Sequence, residues 1–94
     1  MTFIETVVAT WKELSNPALQ GNIKSSADAS KLTIEVTTQQ YAASIEAWEQ
    51  AYSMDITAVE LISNTGVLLS AGECTSLDEM KERITLLCEM LTKA

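Results

Sequence analysis

The side chains able to do chemistry in this 94-residue sequence are carboxylates, and eight of the thirteen are gathered in one stretch. No basic residue stands between Lys31 and Lys81, and that window holds Glu35, Glu46, Glu49, Asp55, Glu60, Glu73, Asp78 and Glu79. Eight acids and no base concentrate the acidity of a chain of net charge −7 in its middle. A single-sign field draws in a positively charged partner and speeds the encounter with it. Carboxylates serving only to keep a surface in water would be mixed with lysine, which is also the usual blocker of sheet edges.

Other chemistries lack their residues. The chain has no histidine, the commonest general base and metal ligand. It has no G-x-S-x-G, no glycine-rich phosphate loop and no G-x-G-x-x-G. Asp78 and Glu79 are adjacent, but they sit where a helix start needs acids, and no spacing singles out another carboxylate pair. Cys74 and Cys88 lack a C-x-x-C or a second cysteine pair, so they are expected as small, reduced core residues. The chain is therefore expected to be no enzyme and to use no cofactor and no metal. Its charge makes nucleic acid and anionic membrane poor partners, because both are polyanions. A basic protein fits better, and the oligomeric state is left open. Met1-Thr-Phe-Ile-Glu-Thr-Val-Val lacks the cationic start of a signal peptide. No apolar run approaches the ~18 residues of a membrane helix, so a soluble, cytoplasmic protein is expected.

The elements that must position these groups fit a single domain over residues 1–94. Thr2-Phe-Ile-Glu5 has capping-box spacing, and Phe3, Ile4, Val7, Val8, Trp11 and Leu14 fall on one helical face. This predicts a helix over Thr2–Ser15, stopped at Asn16-Pro17. Trp11 lies within the apolar stripe and is expected in the core. Residues 16–31 look loop-like, with at most a helical turn at Ala18-Leu19-Gln20. Leu32, Ile34 and Val36 then alternate with Thr33, Glu35 and Thr37, as a half-buried strand does.

Gln39–Tyr52 supports two periods. Tyr41, Ile45, Trp48 and Tyr52 make a helical stripe, and the alanines favour helix. Tyr41, Ala43, Ile45 and Ala47 also alternate as a strand would. In a helix Trp48 is core; in a strand it shares a face with Glu46 and resembles an interface anchor. Met54–Ser63 reads as a strand whose blurred alternation suggests a bulge. Ser63-Asn-Thr-Gly66 is a turn with a positive φ expected at the glycine, and Val67–Ala71 is the returning strand. Ser76-Leu-Asp-Glu79 is a second capping box, opening a helix over Ser76–Thr92 with the stripe Leu77, Met80, Ile84, Leu87, Cys88 and Leu91. Thr75-Ser76-Leu77 differs from the Asp-Ser-Leu of acyl carrier proteins, and the serine is explained as a helix cap. The sum is an α+β fold: an N-terminal helix, a four-stranded antiparallel meander and a C-terminal helix, with both helices on one sheet face.

Tyr41-Ala-Ala-Ser-Ile-Glu-Ala-Trp48, then Asp55-Ile-Thr-Ala-Val-Glu-Leu61, Asn64-Thr-Gly66 and Thr75-Ser-Leu-Asp-Glu79 form a recognisable order. Over residues 32–92 it resembles small bacterial immunity proteins of polymorphic-toxin and contact-dependent growth inhibition systems. Those proteins usually carry a glycine between the tryptophan and the aspartate, where this chain has Gln50-Ala51-Tyr52-Ser53. The resemblance implies a strand over Gln39–Tyr52. It also implies a stoichiometric inhibitor of a toxin's C-terminal domain, often a basic nuclease. The contact residues expected on this basis are Glu35, Glu46, Trp48, Glu49, Asp55, Glu60 and Glu73. Other function classes are an acidic secretion chaperone or adaptor, and a nucleic-acid mimic.

Overall fold

A computed structural model describes residues 2–15, 19 and 21–92. Its elements are α1 (Phe3–Leu14), β1 (Gly21–Ser25), β2 (Lys31–Thr37), β3 (Tyr41–Trp48), β4 (Ser53–Glu60), β5 (Thr65–Ser70) and α2 (Leu77–Thr92), with a short 3₁₀ turn at Gln50–Tyr52. The strands form one antiparallel sheet in the order β1-β2-β3-β4-β5. The α+β class is as expected, but the meander has five strands and not four. β1 escaped notice because Gly-Asn-Ile-Lys-Ser has one apolar residue and no alternation, and pairing with β2 holds it in the sheet. The helix stop at Asn16-Pro17 and most of the turn expected at Ala18-Leu19-Gln20 lie outside the described residues.

The capping box at Thr2 is complete. The Thr2 hydroxyl accepts the Glu5 amide at 3.1 Å, and the Glu5 carboxylate accepts the Thr2 amide at 3.3 Å. At α2 the Ser76 hydroxyl accepts the Glu79 amide, but the Glu79 carboxylate turns to Thr75 and Arg83 instead of back to Ser76. Within Gln39–Tyr52 the strand reading holds for Tyr41–Trp48, which forms β3 with Ala43, Ile45 and Ala47 buried, while Gln50–Tyr52 is the 3₁₀ turn. The positive φ of the β4–β5 turn falls on Asn64 (55°), which tolerates that region, while Gly66 has already entered β5. A register break stands at Ile56/Thr57, and Leu69 is the extra residue on β5.

One face of the sheet is covered. Leu32, Ile34, Val36, Ala43, Ile45, Ala47, Met54, Ile56 and Ala58 pack with Ile4, Val7 and Trp11 of α1 and Met80, Ile84, Leu87, Cys88 and Leu91 of α2. Leu77, expected in the stripe, is exposed. Both cysteines are buried and reduced. Gly21 lets β1 cross over Trp11, since a Cβ there would stand 2.8 Å from the indole Nε1 and 3.0 Å from Ile34 Cγ2. No helix among the described residues is long and apolar enough to cross a membrane.

Candidate partner-binding face

The period of two that buries Ile34, Ile45 and Ile56 sends their neighbours to the opposite, uncovered face. The register arranges these residues in rows across the sheet. Lys31, Trp48 and Ser53 form the end row, and the bridge Ser53↔Glu73 extends it. Next come Lys24, Thr33, Glu46 and Asp55, then Asn22, Glu35, Ser44, Thr57 and Leu68. Paired residues share a face. Glu35, Glu46, Trp48, Asp55 and Glu73 are thus brought together on the open face, with Trp48 beside Glu46 as the strand alternative required.

Glu49 and Glu60 do not join them. The Glu49 carboxylate accepts the amides of Phe3 (3.1 Å) and Ile4 (3.0 Å), so it caps α1 and is committed to the fold. Glu60 pairs with Tyr41 and Thr65, which puts it on the helix-bearing side at the far end of β4. Nor is the face of one sign. Lys24, carried in by β1, lies 3.6 Å from Glu35, and Lys31 lies 3.3 Å from Glu46. The window free of bases is a fact of sequence order, and strand pairing brings two lysines from outside it back onto the sheet. What survives is a smaller acidic corner of Glu46, Asp55 and Glu73, two rows deep.

Within that corner Glu46 and Asp55 stand directly opposite one another on adjacent strands. Like charges in such a pair cost roughly 0.2–1 kcal/mol, a penalty that a bound cation removes. Asp55 accepts the Gly72 amide at 3.0 Å, at a glycine with φ of 90°. Lys31 touches two groups of the corner. Its ammonium sits 5.4 Å from the centroid of the Trp48 ring as well as beside Glu46, so it occupies the place an incoming cation would take. On the other side of the sheet end, Arg83 donates to the carbonyls of Met54 (3.3 Å), Gly72 (3.1 Å) and Glu73 (3.1 Å) and pairs with Glu79. This guanidinium fixes the backbone that presents Asp55 and Glu73.

Around the same end lies an apolar pocket of about 530 Å³, lined by Phe3, Thr6, Tyr52, Cys74, Thr75, Ser76 and Leu77. Tyr52 reaches it through two successive non-glycine residues of positive φ, Ala51 (70°) and Tyr52 (48°). Such backbone costs roughly 1–2 kcal/mol per residue. It is held by the Tyr52 carbonyl accepting the Cys74 amide (2.9 Å) and by the Phe3 ring, 5.4 Å from that of Tyr52. Burial pushes the Cys74 thiol up, against the opposing pull of Arg83, and so favours the protonated thiol over the thiolate.

The residues overlooked in the sequence, Lys24, Lys31 and Arg83, act on the corner across chain separations that no local spacing encodes. No cluster of metal-ligating side chains occurs among the described residues. Comparison with protein-family models, curated proteins and solved structures finds no match to this chain.

Proposed function

We propose that this chain is an immunity protein that neutralises a cognate, basic, nuclease-type toxin domain by stoichiometric contact in the cytoplasm, without catalysis. The observation that carries the proposal is the direct apposition of Glu46 and Asp55 on an uncovered sheet face, with Glu73 and Trp48 in the neighbouring row. A toxin that grips phosphates offers Lys and Arg to such a corner. The carboxylates steer the encounter, and the half-buried Trp48 gives an aromatic anchor of the kind that slows dissociation. An arginine from the partner replaces Lys31 between Glu46 and the indole. The order of residues that resembles immunity proteins supports the same conclusion.

The test is growth rescue. The proposal expects a large toxin to be encoded directly upstream of this chain's gene, and that toxin's C-terminal domain is expressed alone and with the chain in a bacterial host. Toxicity relieved by the wild type but not by Glu46→Lys/Asp55→Lys is the expected result. Rescue undiminished by the double charge reversal would count against the proposed face. A second function, an acidic secretion chaperone or adaptor, has in its favour the exposed apolar side chains along β5. Binding by that route would be indifferent to Glu46 and Asp55.

A further inference from the structure

The two helices bury only the inner strands: every buried sheet residue belongs to β2, β3 or β4. The edge strands overhang, and they differ. β1 carries Lys24, ion-paired to Glu35, on a strand whose one large apolar residue is Ile23, and a charged edge is a usual protection against edge pairing. β5 has none. It reads Thr65-Gly-Val-Leu-Leu-Ser70, lies within the longest uncharged run of the sequence (Leu61 to Gly72), and leaves Val67 48%, Leu68 64% and Leu69 38% exposed. Ile62 in the adjoining turn is 88% exposed. Among the described residues no strand pairs the outer edge of β5.

We infer that β5 pairs antiparallel with β5 of a second copy of this chain about a two-fold axis, joining two sheets into one of ten strands. An outer row of backbone N–H and C=O groups is satisfied by another strand, and antiparallel pairing of a strand with itself satisfies both copies by one symmetric contact. Charge selects the occupant. Two chains of −7 repel over most of their surfaces, but the run Leu61–Gly72 brings no like charges together. A basic partner gains nothing at this uncharged edge, because its complement lies at Glu46, Asp55 and Glu73. One short strand falls below ~1,200 Å² of total buried surface, the class of reversible contacts, so the dimer dissociates on dilution.

Sedimentation of the full chain from about 10 µM to about 1 mM tests this. The mass is expected to rise from 10.2 kDa toward twice that value. Leu68→Lys and, on the opposite face of the strand, Val67→Lys are each expected to hold it at the monomer with unchanged circular dichroism. Both positions lie outside the acidic corner, so the growth-rescue test is independent of this one. A monomer at every concentration would overturn the inference. So would a dimer that survives both lysines, or β5 amides that gain exchange protection only when another protein is added.

Discussion

Truncating Glu49 separates its two possible roles. Its carboxylate accepts the first two helical amides of α1 at 3.1 and 3.0 Å across 46 and 45 residues of chain, so it ties the end of β3 to the helix that covers it. Losing a helix cap costs about 0.5–2 kcal/mol, and the negative charge at a helix N-terminus adds about 0.3–1 kcal/mol. Water reaches the half-buried site and replaces part of what is lost. Glu49→Ala should therefore destabilise by about 2 kcal/mol, and Glu49→Gln, which keeps one acceptor, by about 1 kcal/mol. For a domain of this size the alanine variant should melt about 10 °C lower. Urea unfolding followed by tryptophan fluorescence reads the shift, with Trp11 buried and Trp48 at the sheet end. An unchanged midpoint for Glu49→Ala would refute the capping role. Weakened partner binding by Glu49→Gln at full stability would return Glu49 to the interface.

Three further outcomes follow from the packing and charges. Gly21→Ala forces a methyl against the Trp11 indole and Ile34, and should cost about 1–3 kcal/mol in urea unfolding; a neutral effect would mean that β1 lifts freely from Trp11. Lys31→Ala should tighten binding of the basic toxin domain by about fivefold, by removing the cation that competes for Glu46 and Trp48; weaker binding would make Lys31 part of the interface. The hydroxyls of Ser30 and Ser26 and the Ser30 amide hold the Asp28 carboxyl down from 3.8 to about 2. Because the folded value is depressed, the β1–β2 turn keeps this support above about pH 4 and loses it as pH falls toward 2. Carboxyl NMR titration should show a midpoint near 2, and one near 4 would mean that the turn's hydrogen bonds do not form in solution.

Period and capping made most of the fold legible. Val7, Trp11, Ile34, Met80, Ile84 and Leu87 are buried where their spacing put them. β3 was legible only in part, because Tyr41–Tyr52 satisfies two periods and the burial of Ala43 and Ala47 beneath the helices decides between them. β1 was not legible: an overhanging edge strand buries no apolar side chain and leaves no alternation to read. The site followed the same rule. Trp48, Glu46 and Asp55 lie on β3 and β4, whose parity assigns their face. The capping role of Glu49 was not legible because it follows β3 and its partners lie at the other end of the chain. The apparent single-sign field failed for a similar reason, since antiparallel pairing sets Lys24 and Lys31 beside Glu35 and Glu46 regardless of their order in sequence.

The central claim is that the acidic corner of the open face receives a basic toxin domain. The dissociation constant of the purified toxin domain, measured by titration calorimetry at about 50 and about 200 mM salt, tests it most directly. With about 1.5 kcal/mol lost per reversed charge, Glu46→Lys/Asp55→Lys should bind about 100-fold more weakly at low salt and show a flatter salt dependence than the wild type. Equal affinity and an equal salt slope in the two proteins would contradict it.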